Sequence, residues 1–563
     1  MKIAGKRRGY FYCKFIAIKT HLNCCICHWA TRKDALAQHG TIFLAYAQNA
    51  SMKRDGATTS LWQANIPDYI SRTSTPPAQP VDVLIVGGGI TGITTALLLQ
   101  QQGKSCIVAE AQNLCFGTTG GTTSHINSFF DTTYDMIRSD FGAEGAQTVA
   151  RATRQALDLF AHHVHTYNID CGFSEKDAYL YAQNEDEAKE LQKILEASLE
   201  AGANVAYTPQ VPIPDAFIKA IVFPRNAQIH PTRYVHALAK VFEEAGGIIL
   251  QQCTVGNYTG NTELLEVETA LGTIQAKALV YASHIPPGIN ILHFRAHPYR
   301  SYAMAIALED ESQYPDALVY DMKDPYYYYR TQEVEGRRYL IAGGEDHKTA
   351  HVENTEACFQ HLEAQVRRLF TVKEIAYKWS SQYFEPSDGL AYIGHLPGAG
   401  ENVFVATGYS GNGITYSHIA AVTLADLIVK GTSEYAQLFR PGRVKPVAGF
   451  TEFVKENVDV IKEFFSKRFS QHQLSELAEL APGEARVVKW EGASIALYKD
   501  EAGKLFAVDP VCPHAKCAVG WNSAERSWDC PCHGSRFAPD GALLTGPARK
   551  GLEPIDLAKL VED

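Results

Sequence analysis

VDVLIVGGGITGITTALLLQQQGKSCIVAE, residues 81–110, reads as a strand, a glycine turn, a helix and a second strand. VDVLIV is a buried strand and ITGITTALLLQQQG continues as a helix, so about 30 residues make one βαβ unit. Gly87, Gly89 and Gly92 stand in G-x-G-x-x-G order. The first glycine permits the tight turn, the second lets a pyrophosphate approach the backbone, and the third lets helix and strand pack closely. The helix N-terminus then faces the phosphates. Glu110 closes the second strand 18 residues after Gly92, where an acid can accept hydrogen bonds from ribose hydroxyls. The unit binds a dinucleotide, and the motif alone does not separate FAD from NAD.

On the N-terminal side, RTSTPPAQP (72–80) is a Pro-rich end to a lead-in covering 52–80. Residues 1–51 are basic, Cys- and His-rich and without a clean period. A metal site from His21, Cys24, Cys25, Cys27 and His28 is crowded beyond the usual paired knuckles. An export signal after Arg7-Arg8 is interrupted by Lys14, Lys19 and His21. The favoured expectation is a non-native or disordered extension, with Met52 as the true start.

On the C-terminal side, residues 141–205 read as mainly helical, with Asn184 and Glu187 as a capping box. Beyond 205 the chain turns strand-rich, with IIL (248–250) and ALVYAS (278–283) as short strands. Tyr326–Tyr329 reads as strand packing ahead of a substrate cage. Val454, Val458, Ile461, Phe465 and Phe469 form an apolar stripe, which predicts a linker helix within 441–470.

The full chain has 563 residues, which implies more than one domain. A net charge of −10 argues against nucleic acid as a partner. No apolar run reaches 18 residues, so stable membrane insertion is not expected. Between the 4 cysteines of the first 30 residues and the 4 of the last 60, the other 5 of the 13 are scattered, which suits reduced thiols in a cytoplasmic protein.

Several further segments carry a resemblance. CFGTTGGTTSHIN (115–127), IHPTRYVHALA (229–239), EPSDGLAYIGHLP (385–397) and NVFVATGYSGNGIT (402–415) resemble the D-amino-acid-oxidase-like flavoproteins, a family that includes glycine and sarcosine oxidases. The resemblance spans about 81–440. It implies FAD, held in an α/β Rossmann-like domain under an antiparallel β-sheet substrate domain. Gly121, Thr122, Thr123 and His125 would lie in the loop over the flavin. Gly411, Gly413, Ile414 and Thr415 would approach its ring end. His125 also falls near the flavin-linking histidine of dimethylglycine-dehydrogenase-like relatives, so a covalent link competes with a simple cavity-lining role. GGEDHKT (343–349) looks like a loop near the flavin, making His347 and Lys348 candidates for substrate contact. Arg300 and Tyr302 are candidates for binding a carboxylate.

CPHAKC (512–517) and CPCHGSRF (530–537) give C-x-H, fifteen residues, then C-x-x-H. Thiolates suit iron–sulfur clusters, and two neutral imidazoles on one iron lower its negative charge and raise its potential. Zinc would use the same residue types but leaves two extra cysteines unexplained. The pattern is identified as a Rieske [2Fe–2S] domain, small and all-β, over 471–563. Its expected ligands are Cys512, His514, Cys530 and His533. Cys517 and Cys532 fall where cytochrome bc-type Rieske proteins carry a disulfide. Ser535 matches their hydroxyl donor to a sulfide, and Phe537 replaces their tyrosine, which predicts a potential below the respiratory proteins. Gly546 and Pro547 would form the third loop shielding the cluster. The opening MKRDGATTSLWQ (52–63) also resembles intracellular flavin–Rieske proteins.

A flavin takes two electrons and a [2Fe–2S] cluster one. The expected function is an FAD-dependent oxidoreductase that oxidises a small amine or amino acid and passes electrons singly to an external acceptor. The competing reading is an electron-transfer or redox-sensing protein without an amine substrate. A Rieske oxygenase needs a two-His, one-carboxylate iron site, and Asp158 with His162, His163 and His165 has the wrong spacing for one.

Overall fold

A computed structural model describes residues 54–443, 480–490 and 493–557. The expectations for 1–51, and for nearly all of the 441–470 linker helix, lie outside the described residues. The described residues form one compact unit.

VDVLIV is apolar at almost every position, as a strand buried on both faces must be. Val81–Val86 lies between Cys106–Ala109 and Gly272–Tyr281 and runs parallel to both. Val403–Thr407 and Ile248–Leu250 extend the parallel sheet on either side. The helix Ile90–Gln101 packs against the helices Gly413–Lys430 and Pro231–Glu244. This is a dinucleotide-binding layer whose strand C-termini open onto the glycine turn.

A second sheet of nine strands stands over that opening. Its order runs from Val372–Pro386 through Ala296–Leu308, Arg337–Lys348, Tyr328–Val334, Leu318–Asp321, Ser174–Ala182 and Lys219–Gln228 to His125–Ile126, and the ninth strand, Ala206–Tyr207, pairs with Lys219–Gln228 off this path. Pairing is antiparallel except between Leu318–Asp321 and Ser174–Ala182, which run parallel. The expectation that 141–205 is mainly helical holds, with one strand in it that the sequence did not show. Helices Tyr134–Thr166 and Glu185–Glu200 are separated by the strand Ser174–Ala182. Its strand character comes from partners distant in sequence, so local propensity could not supply it. The helix start at Asn184 holds: Asn184 Oδ1 accepts from the N–H groups of Asp186 (3.1 Å) and Glu187 (3.0 Å). The Glu187 carboxylate reaches back to the N–H of Gln183 at 2.7 Å, one residue before the position a capping box uses.

The C-terminal part is all-β. Ala485–Trp490, Ala493–Lys499 and Leu505–Val508 form one small sheet. Gly520–Asn522, Ser527–Asp529, Arg536–Phe537 and Leu543–Thr545 form another. Trp528, Phe537 and four cysteines fill the core beside them.

Candidate active site

The glycine turn is sterically enforced. Gly87 sits at φ +115°, and a Cβ there would lie 2.6 Å from the carbonyl oxygen of Ala282. A Cβ on Gly92 would lie 1.9 Å from the carbonyl oxygen of Gly87. Gly92 therefore packs helix on turn, and it does not line the cavity. The Glu110 carboxylate accepts from the N–H groups of Gly88 (2.6 Å) and Gln112 (2.8 Å). Burial pushes this carboxyl up, and those N–H groups oppose the shift.

Gly87, Gly89, Glu110, Gly121, Thr122, Thr123, His125, Gly411, Gly413 and Ile414 all line one cavity. Thr415 stands behind it, bonding both the N–H and the carbonyl of Asn127 at 3.0 Å. It ties the helix Gly413–Lys430 to the segment running from His125 to Asp131. The turn and helix N-terminus fit a dinucleotide: a glycine-walled backbone cradle leads into a long cavity with an acid at the second strand's end.

At the ring end the cavity is roofed by the nine-stranded sheet. Tyr320, Tyr326 and Tyr328 cluster there, with ring centroids 5.7–6.4 Å apart. The His125 ring lies 5.4 Å from Tyr320 and 5.3 Å from Tyr328. Burial, then the nearby Arg330, hold its imidazole well below the ordinary range, so it is neutral. Asp131 accepts from Tyr326 Oη (3.0 Å) and Gly411 N (2.8 Å). Asp346 accepts from Tyr383 Oη at 2.9 Å, and burial pushes its carboxyl up to about 7.

The four candidate substrate-contact residues are corrected: none lines the cavity. Arg300 is fully buried against the C-terminal domain, 3.4 Å from Asp529 and 3.8 Å from Glu525. Tyr302 packs edge-on against Phe359, and its hydroxyl meets His347 Nε2 at 2.9 Å. His347 Nδ1 bonds the Lys348 carbonyl at 2.8 Å. The alternation of the strands Ala296–Leu308 and Arg337–Lys348 turns Arg300, Tyr302 and His347 away from the cavity, while Ser301 and Asp346 line it.

Cys512 and Cys530 are buried and their side chains are in hydrogen-bond contact. The His514 and His533 rings lie 4.9 Å apart. Nδ1 of His514, and both ring nitrogens of His533, are buried without hydrogen-bond partners. Orphaned buried nitrogens demand an explanation, and two thiols with two imidazoles fit a [2Fe–2S] cluster. Cys517, Cys530 and Cys532 place their sulfurs within 4.8 Å of one another. That trio is not a metal site, because Cys517 and Cys532 are joined to each other (S–S 2.00 Å). The Ser535 hydroxyl accepts from Ala548 N at 2.9 Å and hydrogen-bonds the Cys512 sulfur. Phe537 is wholly buried in the same core. Gly546 lines the flavin cavity, and the Pro547 carbonyl accepts from Gly288 N at 3.2 Å.

Sequence reasoning missed the loop that joins the two sites. Ser283, His284 and Ile285 line the flavin cavity. Three residues on, the Gly288 carbonyl accepts from His514 Nε2 at 2.9 Å. His293 then stands 4.7 Å from the His514 ring, and Phe294 stands 5.5 Å from His533. No motif marks this loop; only its position after a parallel strand hinted at the site. Asp131 was missed as an acid without a spacing signature, and Asp346 was passed over in favour of its neighbours His347 and Lys348 in GGEDHKT.

Both parts of the chain have counterparts among known proteins. A family model described as FAD dependent oxidoreductase matches residues 82–427, and a Rieske [2Fe-2S] domain model matches 470–556. The chain belongs to the FAD-dependent oxidoreductases and carries a C-terminal Rieske domain; its cofactors are FAD and a [2Fe–2S] cluster. It is 33% identical over 479 residues to the putative Rieske 2Fe-2S iron-sulfur protein YhfW of Bacillus subtilis, covering 84% of this chain and 93% of that one. It is 23% identical over 397 residues to gamma-glutamylputrescine oxidoreductase of Escherichia coli, covering 68% and 91%. Glycine oxidase from Geobacillus kaustophilus shares the fold, with a TM-score of 0.55 at 19% identity over 65% of this chain and 100% of that one. Among the described residues no helix is long and apolar enough to cross a membrane.

Proposed function

We propose that this protein oxidises a C–N bond of a small amine or amino acid and delivers the electrons singly to an external one-electron acceptor. When bound, FAD takes two electrons from the substrate and the [2Fe–2S] cluster hands them on one at a time. The observation that carries the reading is the 283–294 loop, which lines the flavin cavity at one end and touches the cluster histidines at the other. The amine relative named above supports the substrate class.

In this reading Gly87 and Gly89 hold the pyrophosphate and Glu110 the ribose. The loop from Gly121 to His125, with Gly411, Gly413 and Ile414, surrounds the ring end. Cys512, His514, Cys530 and His533 hold the cluster. Thr545 and Gly546, from the C-terminal domain, also line the cavity. We place the protein in the cytoplasm, where the five free cysteines that are buried outside the cluster domain among the described residues stay reduced.

Anaerobic rapid mixing of holoenzyme with a panel of amines and amino acids tests this. One class should bleach the flavin and then produce the electron-paramagnetic signal of the reduced cluster. If dithionite reduces both centres but no compound bleaches the flavin, the protein is an electron carrier or sensor instead.

A further inference from the structure

The ring end of the cavity has a one-sided electrostatic character. Asp346 lines it, Asp131 stands just outside the lining and holds two lining residues, Tyr326 and Gly411, and among the described residues no lysine or arginine lines it. Asp346 Oδ1 is buried without a hydrogen-bond partner, although its other oxygen accepts from Tyr383. Tyr320, Tyr326 and Tyr328 form an aromatic cluster beside these acids. Arg330 is the nearby cation, and its guanidinium is spent on the carbonyls of Thr123 (2.7 Å) and Ile229 (3.2 Å) and on Gln332 (2.6 Å). Arg300, the residue that sequence alone offered for a carboxylate, is locked in ion pairs elsewhere.

The Asp346 carboxylate and a set of phenol rings repel an anion and attract an organic cation. Ring faces bind ammonium groups through their quadrupole, the more strongly once water is excluded. An amino-acid substrate would bring its own carboxylate into this acidic end with no cation to receive it. Burying such an unpaired charge is costly.

From this geometry we propose that the site selects an alkylammonium without a carboxylate near the reacting carbon, a mono-, di- or polyamine. Asp346 acts as the charge partner, Tyr320, Tyr326 and Tyr328 as the cage, and Asp131 as the group that positions Tyr326 from behind. The inference rests on the reading that this cavity takes the substrate, and it narrows that substrate to cations. Tyr326 links the two features, because its ring belongs to the cage and its hydroxyl fixes Asp131.

The test is an anaerobic titration of holoenzyme, read by flavin absorbance, with three matched probes: an n-alkylammonium, a tetraalkylammonium and an n-alkylcarboxylate. Both cations should perturb the flavin spectrum and compete with each other, and the carboxylate should not. Asp346→Asn and Asp131→Asn should each weaken tetraalkylammonium binding by about tenfold with FAD content unchanged. Carboxylate binding without cation binding would overturn the proposal, as would cation affinities unmoved in both variants. If the tetraalkylammonium binds and no amine reduces the flavin, cation selection stands and the dehydrogenase reading falls.

Discussion

At the scale of the residue, Asp346 is the group whose charge the site controls. Burial raises it to about 7, the neighbouring charges of Asp131 and Glu345 add to the rise, and the hydroxyls of Ser301 and Tyr383 oppose it. The other titratable groups facing it are Tyr326, Tyr328 and, through Tyr383, Glu385. A carboxyl raised in this way is neutral below pH 7 and anionic above it. Binding of a permanently charged tetraalkylammonium should therefore strengthen about tenfold between pH 6 and 8. Asp346→Asn should flatten that profile. An equally steep profile in the variant would move the titration to another group. The sequence pointed to the GGEDHKT segment but not to this aspartate, because strand alternation, which decides which of its residues faces the cavity, is not visible in a segment read as a loop. The cluster ligands were legible for the opposite reason: two cysteines and two histidines at short fixed intervals admit few chemistries.

At the scale of the element, the connection from Ser283 to Phe294 matters most. Gly288 sits at φ +83°, a left-handed conformation that a side chain disfavours by about 1–2 kcal/mol. Its N–H donates to Pro547 and its carbonyl accepts from His514, so one residue clamps two loops of the cluster domain. Gly288→Val should slow electron delivery from flavin to cluster while substrate-driven flavin bleaching keeps its rate. Stopped-flow absorbance combined with freeze-quench spectroscopy separates the two steps; an unchanged cluster rate would remove the loop from the route. The βαβ unit was readable because a glycine turn between strand and helix is a local device. The nine-stranded sheet was not, since its strand Ser174–Ala182 pairs with Lys219–Gln228 and Leu318–Asp321.

At the scale of the whole molecule, a closed ring of six buried charges joins the two domains through the lead-in. Arg54 pairs with Glu525 (2.9 Å), Glu525 with Arg300 (3.8 Å), Arg300 with Asp529 (3.4 Å), Asp529 with Arg536 (3.1 Å), Arg536 with Asp55 (2.9 Å) and Asp55 with Arg54 (3.6 Å). Three cations and three anions balance, which is the condition under which buried charges are tolerated. Arg300→Met breaks that balance and should cost about 3–5 kcal/mol, read as an earlier urea midpoint. Unchanged stability with a raised KM would instead return Arg300 to the substrate. The sequence by itself determined the glycine turn and the two domain classes, and it named the two cysteines and two histidines that the fold brings together, because each is written in residues close together along the chain. Only the tertiary structure decided that Arg300 holds domains together, that the ring end is acidic and aromatic, and that one loop serves both cofactor sites. Those properties depend on which face of a strand a residue occupies and on which distant segment it meets, and neither is encoded in local spacing.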